Sequence, residues 1–216
     1  MIIAIIGGTG KEGKGLAYRW AKAGHQVIIG SRDYEKAQTV VLEMNDSFTG
    51  IRPIQGEQNI DAAGHAEVVV VTVPFSAHVP TLESIRDSVQ NKIVIDVTVP
   101  LVPPKVTHVQ IPASGCAAME AQQVLGEAVR VVSAFQNVSY EKLLKDEDLQ
   151  CDVLVCGNDK EAKQVVLGLV SDAHLKGYDA GPLQNSIVSE GLTSVLININ
   201  KHFGIQNAGI KITGIE

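Results

Sequence analysis

Three glycines at fixed spacing, Gly8-x-Gly10-x-x-Gly13, are the residues of this chain best placed to meet a charged ligand. The first permits a tight turn, the second clears the backbone for a diphosphate, and the third lets a helix pack closely on a strand. A helix starting there adds free N–H groups and the positive end of its dipole. Thr9, Lys11 and Glu12 fill the positions between the glycines. A second group, Gly30-Ser31-Arg32, stands where NAD-binding proteins usually carry an Asp or Glu for the ribose 2′-hydroxyl. Gly30 removes bulk, Ser31 can donate a hydrogen bond, and Arg32 is a planar cation matched to phosphate. Lys36 falls one helical turn beyond Arg32 and reaches for the same group. The charge pattern predicts a 2′-phosphate, and so NADP(H) rather than NAD(H). Asp33 has the opposite sign and is read as the N-cap of the helix that follows it.

These residues need a β-α-β frame, and the sequence supplies one. Ile2-Ile3-Ala4-Ile5-Ile6 suits a strand buried on both faces. A helical pattern runs through Leu16 and Trp20, and a second strand through Val27-Ile28-Ile29. The alternation continues with a helix over 34–44, a short strand over 51–55 that Pro53 demotes toward an edge, and a helix over 60–65. Strands are expected at 67–72 and 92–96, with a helix over 77–89 between them. A helix opens near Ser114, and 129–135 reads as the last strand of the main sheet. Beyond it come a strand over 152–156, a helix over 160–173, a strand end at 177–180, and a long helix over 186–203 that Asn185 can cap. That helix carries an apolar face through Ile187, Val188, Leu192, Val195, Leu196 and Ile199, for the core or a subunit partner. The expected fold is α/β: a Rossmann-type, doubly wound parallel sheet with a small C-terminal α/β extension ending in a long helix. The expected division is a dinucleotide domain over 1–138 and a smaller region over 139–216.

Composition narrows the partners. The net charge of −6 comes with no basic stripe, which argues against nucleic acid and anionic membranes. The apolar opening is too short for a signal core, no stretch approaches a membrane span, and three cysteines make no disulfide framework. The expected compartment is the cytoplasm. No acid–base dyad, metal cluster or activated nucleophile stands out, so neither a catalytic side chain nor a metal is assigned.

In an open parallel sheet, ligands lie beyond the carboxyl ends of the strands. That places Val73, Pro74, Phe75 and His78 after one strand and the proline-rich loop 99–104, with Val102, after another. Rigid apolar loops of this kind can wall a flat ring. Gln136, Asn137 and Val138 lie at the end of the strand over 129–135, and the tail 207–211 is placed to close over the pocket. Cys116, near a helix start, reads as a small buried residue.

Several of these segments together resemble the NADP-dependent reductases of coenzyme F420, a deazaflavin. They are Gly7-Gly8-Thr9-Gly10, Gly13-Lys14-Gly15-Leu16-Ala17, Gly30-Ser31-Arg32, Glu35-Lys36-Ala37, Val73-Pro74, Val99-Pro100-Leu101-Val102-Pro103, Val132-Ser133-Ala134-Phe135, Val155-Cys156-Gly157, Asp179-Ala180-Gly181-Pro182-Leu183 and Gly209-Ile210-Lys211. The resemblance implies direct hydride transfer between NADP(H) and coenzyme F420, with no metal and no covalent intermediate. By matching, Thr9, Gly10, Lys11, Glu12, Ser31, Arg32, Lys36, Pro74, His78 and Val102 are NADP contacts, while Gln136, Asn137, Val138 and Ala208 line the deazaflavin. It also implies a homodimer. Gln136 stands where the family often has His, and Gln cannot carry a positive charge. Two other readings therefore stand beside the first: reduction of FMN, FAD or ferric iron by NADPH, and NADP(H) sensing without turnover.

Overall fold

The computed structural model describes residues 1–145 and 149–215. Its central strand, β1 (Ile2–Ile6), sends Ile3 and Ile5 into one core and Ala4 and Ile6 into another, as the two-residue period of a strand demands. Helix α1 (Lys11–Lys22) follows, then β2 (Gln26–Ser31), α2 (Tyr34–Ser47), β3 (Gln55–Gln58), α3 (Asn59–His65) and β4 (Val68–Val71). Next come α4 (His78–Ile85), β5 (Ile93–Asp96), α5 (Ala117–Leu125), β6 (Arg130–Ser133) and the short α6 (Tyr140–Leu143). The chain finishes with β7 (Asp152–Gly157), α7 (Lys160–Asp172), β8 (Lys176–Asp179) and α8 (Ser186–Phe203). The strands form one sheet in the order β3-β2-β1-β4-β5-β6-β7-β8. Five pairings from β3 to β6 are parallel, with Ile3 opposite Val27 on one side and Val68 on the other. The order reverses between β1 and β4, which opens the crevice where such sheets take ligands.

The fold is the Rossmann-type arrangement the sequence predicts, with two corrections to its strands. β6 does not end the sheet: β7 joins it antiparallel, pairing Val132 with Gly157, and β8 extends the sheet again in parallel. The short edge strand begins at Gln55 rather than ending there. Asn45 accounts for that shift, because its side chain accepts from the Ile54 N–H and donates to the Ile54 carbonyl, both at 2.9 Å. Those backbone groups are thereby satisfied without a partner strand.

Two buried polar side chains of α1 tie the end of the chain to its beginning. Trp20 is fully buried, and its indole N–H donates to the Leu169 carbonyl of α7 at 2.9 Å. Arg19 donates from Nε to the Leu143 carbonyl at 2.8 Å and from Nη2 to the Lys142 and Lys145 carbonyls. Asp33 caps α2 as expected, accepting from the Lys36 N–H at 3.2 Å, a contact of about 1 kcal/mol. Asn185 does not cap α8. A short 3-10 turn over Leu183–Asn185 precedes the helix, and the Asn185 amide turns back to donate to the Ala180 carbonyl. Among the described residues, no helix is long and apolar enough to cross a membrane.

Candidate functional site

The glycine loop connects β1 to α1 at the crevice, and its three glycines do different work. A Cβ on Gly8 would lie 2.6 Å from the Ile5 carbonyl oxygen, and one on Gly13 would lie 2.5 Å from the Gly8 Cα. Both positions are closed by the protein's own backbone. A Cβ on Gly10 would meet only the Gly7 carbonyl oxygen, at 3.6 Å. The bare side of Gly10 is therefore open, as a diphosphate requires. The Lys14 N–H is the first to donate into α1, to the Gly10 carbonyl. The N–H groups of Lys11, Glu12 and Gly13 precede it, at the positive end of the helix dipole.

The end of β2 lies across the crevice. Ser31 is buried, and its Oγ accepts from the Asp33 N–H at 3.2 Å, which leaves the hydroxyl proton free to donate. Arg32 and Lys36 are exposed and carry the positive charge of this rim. Gly30 serves a different purpose from the one expected of it. The space beside it is filled by Asn59, whose Oδ1 would lie 2.9 Å from an added Cβ and which also accepts from the Gly7 N–H. Asn59 thus braces the glycine loop from α3, a role that no local motif announces. Val73, after β4, packs against Gly7 at the crevice, while Pro74 and Val102 are exposed.

His78 is set deeper in the fold than its neighbours after β4. It is wholly buried, with Nε2 at 2.8 Å from Asp96 Oδ2 and Nδ1 at 3.3 Å from Glu120 Oε2. Burial by itself would depress its pKa, but the two carboxyl groups outweigh it and hold the pKa above the ordinary value. The ring links α4, β5 and α5. Glu190 of α8 works nearby, accepting from the Ala117 and Ala118 N–H groups at the start of α5. Burial raises its carboxyl to about 7.

The four residues matched to a second ring come together. Gln136, Asn137, Val138 and Ala208 line one cavity of about 370 Å³. Thr193, Leu196, Ile197 and Asn200 form its α8 wall, and Tyr140, Glu141 and Asn207 complete the rim. The α8 residues are spaced i, i+3, i+4 and i+7, so the helical period could have found them. The Gln136 amide N–H groups are taken by the Asp96 carbonyl and Ser133 Oγ, both at 2.8 Å. A carbonyl oxygen can only accept, so the orientation of this amide is fixed. Asn137 donates to the Ser189 carbonyl and to Thr193 Oγ1, locking the β6 loop to α8. The tail holds its course because the Asp152 N–H donates to the Ile210 carbonyl and the Ala208 N–H to Asn200 Oδ1. A bridge spans the two sites: Lys11 Nζ donates to Tyr140 Oη at 3.1 Å and lies 4.8 Å from its ring centroid. A separate cavity of about 400 Å³ lies between α5 and the turn at Leu183, and none of the expected site residues line it.

The chain is similar to known proteins over its whole length. The family model described as NADP oxidoreductase, coenzyme F420-dependent, matches residues 2–100. The F420-dependent NADP reductase of Methanothermobacter thermautotrophicus is 40% identical over 226 aligned positions, spanning 100% of this chain and 96% of that protein. The F420-dependent NADP reductase of Methanocaldococcus jannaschii is 39% identical over 224 positions, with 100% of both chains covered. A solved structure from Arthrobacter sp. FB24, provisionally assigned as an F420-dependent NADP reductase, superposes with a TM-score of 0.83 at 23% identity, covering 98% of this chain and 99% of its own. That likeness bears on the fold. The full-length sequence identities bear on descent, and by them the chain belongs to the family of F420-dependent NADP reductases.

Proposed function

We propose that this protein transfers a hydride directly between NADP(H) and coenzyme F420. The observation that carries the reading is the full-length relationship to reductases of that name. The open side of Gly10 and the cavity at Gln136 supply the two places the reaction needs. When bound, the nicotinamide supplies or accepts the hydride and the deazaflavin is its counterpart, one solvent proton being consumed for each deazaflavin reduced.

The chain's own part is placement, which can supply several kcal/mol of a barrier when reacting atoms are held about 3–3.5 Å apart. Gly8, Thr9, Gly10 and Gly13 shape the diphosphate cradle, and the N–H groups at the start of α1 bind into it. Ser31, Arg32 and Lys36 hold the 2′-phosphate through hydrogen bonds and charge. Val73, Pro74 and Val102 wall the nicotinamide and exclude water. Gln136, Asn137, Val138 and Ala208 receive the deazaflavin, with Tyr140 at the pocket mouth. Residues 1–138 carry the dinucleotide, and 139–216 complete the acceptor pocket. The exposed apolar residues Val188 and Val195 on α8 support pairing as a homodimer. The acidic net charge fits a cytoplasmic enzyme acting on small molecules rather than nucleic acid.

Anaerobic turnover tests the reading. Purified protein receives NADPH with coenzyme F420, FMN or FAD in parallel, and NADH serves as the donor control. Loss of the deazaflavin's visible absorbance with NADPH, and not with NADH, is the expected result. Tight NADPH binding with no change in the deazaflavin would refute it and move the search to other acceptors.

A further inference from the structure

The diphosphate loop carries a carboxyl group in the first turn of its helix, where a negative charge would oppose the ligand. Glu12 lies on the face of α1 that continues through Gly15 and Arg19. That face is covered by α6: a Cβ on Gly15 would stand 2.7 Å from Leu143 Cβ, and Arg19 Nε bonds the Leu143 carbonyl. Glu12 itself is half-buried, and its Oε1 is buried without a hydrogen-bond partner. Among the described residues, the charged and titratable groups on this face of α1 and its neighbours and on α6 are Lys11, Lys14 and Arg19 of α1 and Tyr140, Glu141 and Lys142 of α6. Lys11 is engaged with Tyr140, Tyr140 donates to Glu141, and Arg19 is spent on backbone carbonyls. None of these groups bonds the buried oxygen.

We propose that Glu12 makes dinucleotide binding proton-linked: the loop accepts the diphosphate with Glu12 neutral, and ionisation of Glu12 weakens the complex. This rests on reading the loop as the NADP(H) site. A carboxyl with one oxygen buried and unpaired favours its protonated form, because there the charged form loses hydration and gains nothing in return. Burial accordingly raises Glu12 to about 8. An ionised Glu12 would stand within about one helical turn of a doubly charged diphosphate, a repulsion on the order of tenfold or more in Kd. The sign follows from linkage. Well below pH 8 the carboxyl is protonated with or without ligand, so affinity is flat. Above it, the free protein must take up a proton to bind, and affinity falls.

Calorimetric titration with NADPH, which survives alkaline solution, tests this at about pH 7, 8 and 9 in buffers of different ionisation enthalpy. The expected wild-type result is a Kd rising about fivefold or more from pH 7 to 9, with roughly half a proton or more taken up per site at the alkaline end. Glu12→Gln should lose both the rise and the uptake; Glu12→Leu, which suits a buried position, makes the same comparison if the first variant fails to fold. Wild-type affinity that ignores pH, or a variant that keeps the wild-type slope and proton count, overturns the proposal. Failure of the wild type to bind NADPH at any pH would instead overturn the NADP(H) reading, and the proposal with it.

Discussion

Substituting alanine at Gly10 and at Gly13 should separate ligand binding from stability within a single loop. At Gly13 the new Cβ would stand 2.5 Å from Gly8 Cα and 2.8 Å from the Gly8 carbonyl oxygen, both backbone atoms that cannot rotate away. α1 would have to lift off the loop, an overpacking cost of about 1–3 kcal/mol, or roughly 3–10 °C in Tm for a chain of this size. At Gly10 the backbone sits at φ −75° and ψ 170°, which alanine adopts freely, and the nearest atom is 3.6 Å away. Reduced freedom of the unfolded chain contributes about 0.4–1 kcal/mol, and a poorer N-cap takes back a similar amount. Gly10→Ala should therefore melt within about 2 °C of wild type. Its methyl group would nonetheless fill the diphosphate's approach and cost a charge-assisted hydrogen bond, about 1.5–3 kcal/mol or roughly 10–100-fold in Kd. Thermal melts followed by circular dichroism and fluorescence titration with NADPH measure both quantities. Wild-type NADPH affinity in Gly10→Ala would refute the placement of the diphosphate. A Gly10→Ala melt as low as that of Gly13→Ala would refute the packing argument.

Two further outcomes follow from the site and from the core. Arg32→Ala should weaken NADPH on the order of 10–100-fold while leaving NADH nearly unchanged, since only the former carries the 2′-phosphate; equal losses for both would discard that assignment. The three cysteines are buried, and burial pushes Cys116 up to about 12 and raises Cys151 and Cys156 above their ordinary value. The native protein should resist an aromatic disulfide reagent at pH 8, and urea should release all three thiols. Rapid stoichiometric labelling of the folded protein would contradict the burial.

What could be read from the sequence was what short-range physics controls. The apolar period set out β1, β2, β4 and β5, and the glycine spacing between strand and helix located the cradle, because each depends on residues within a turn or two of one another. Asp33 was legible as a cap for the same reason. What escaped was the work of residues brought together by tertiary packing. Gly30 looked like clearance for a phosphate, but Asn59, from the far end of β3, occupies the space. His78 looked like a residue at a strand's open end, but Asp96 and Glu120 enclose it from β5 and α5. The start of α5 was placed too early because its cap, Glu190, comes from α8. β7 escaped as a member of the sheet because a strand's own sequence does not say which edge it will join, or in which direction.

The two sites are more closely joined than a division near residue 138 suggests, and α1 is the reason. Its first turn follows directly on the glycine loop, and its flank holds the α6 segment through Arg19 and the close approach at Gly15. Lys11 completes the join, lying beside the glycine loop while donating to Tyr140, which lines the cavity at Gln136. Packed interiors transmit small displacements because they have little free volume to absorb them. On the proposed reading, a shift of α1 when a dinucleotide binds would therefore be passed to Tyr140 and Leu143, and so to the lining of the second pocket. An enzyme whose chemistry is placement would, on that reading, gain from this, because the helix beside the first ligand would also bear on Tyr140, which lines the pocket for the second.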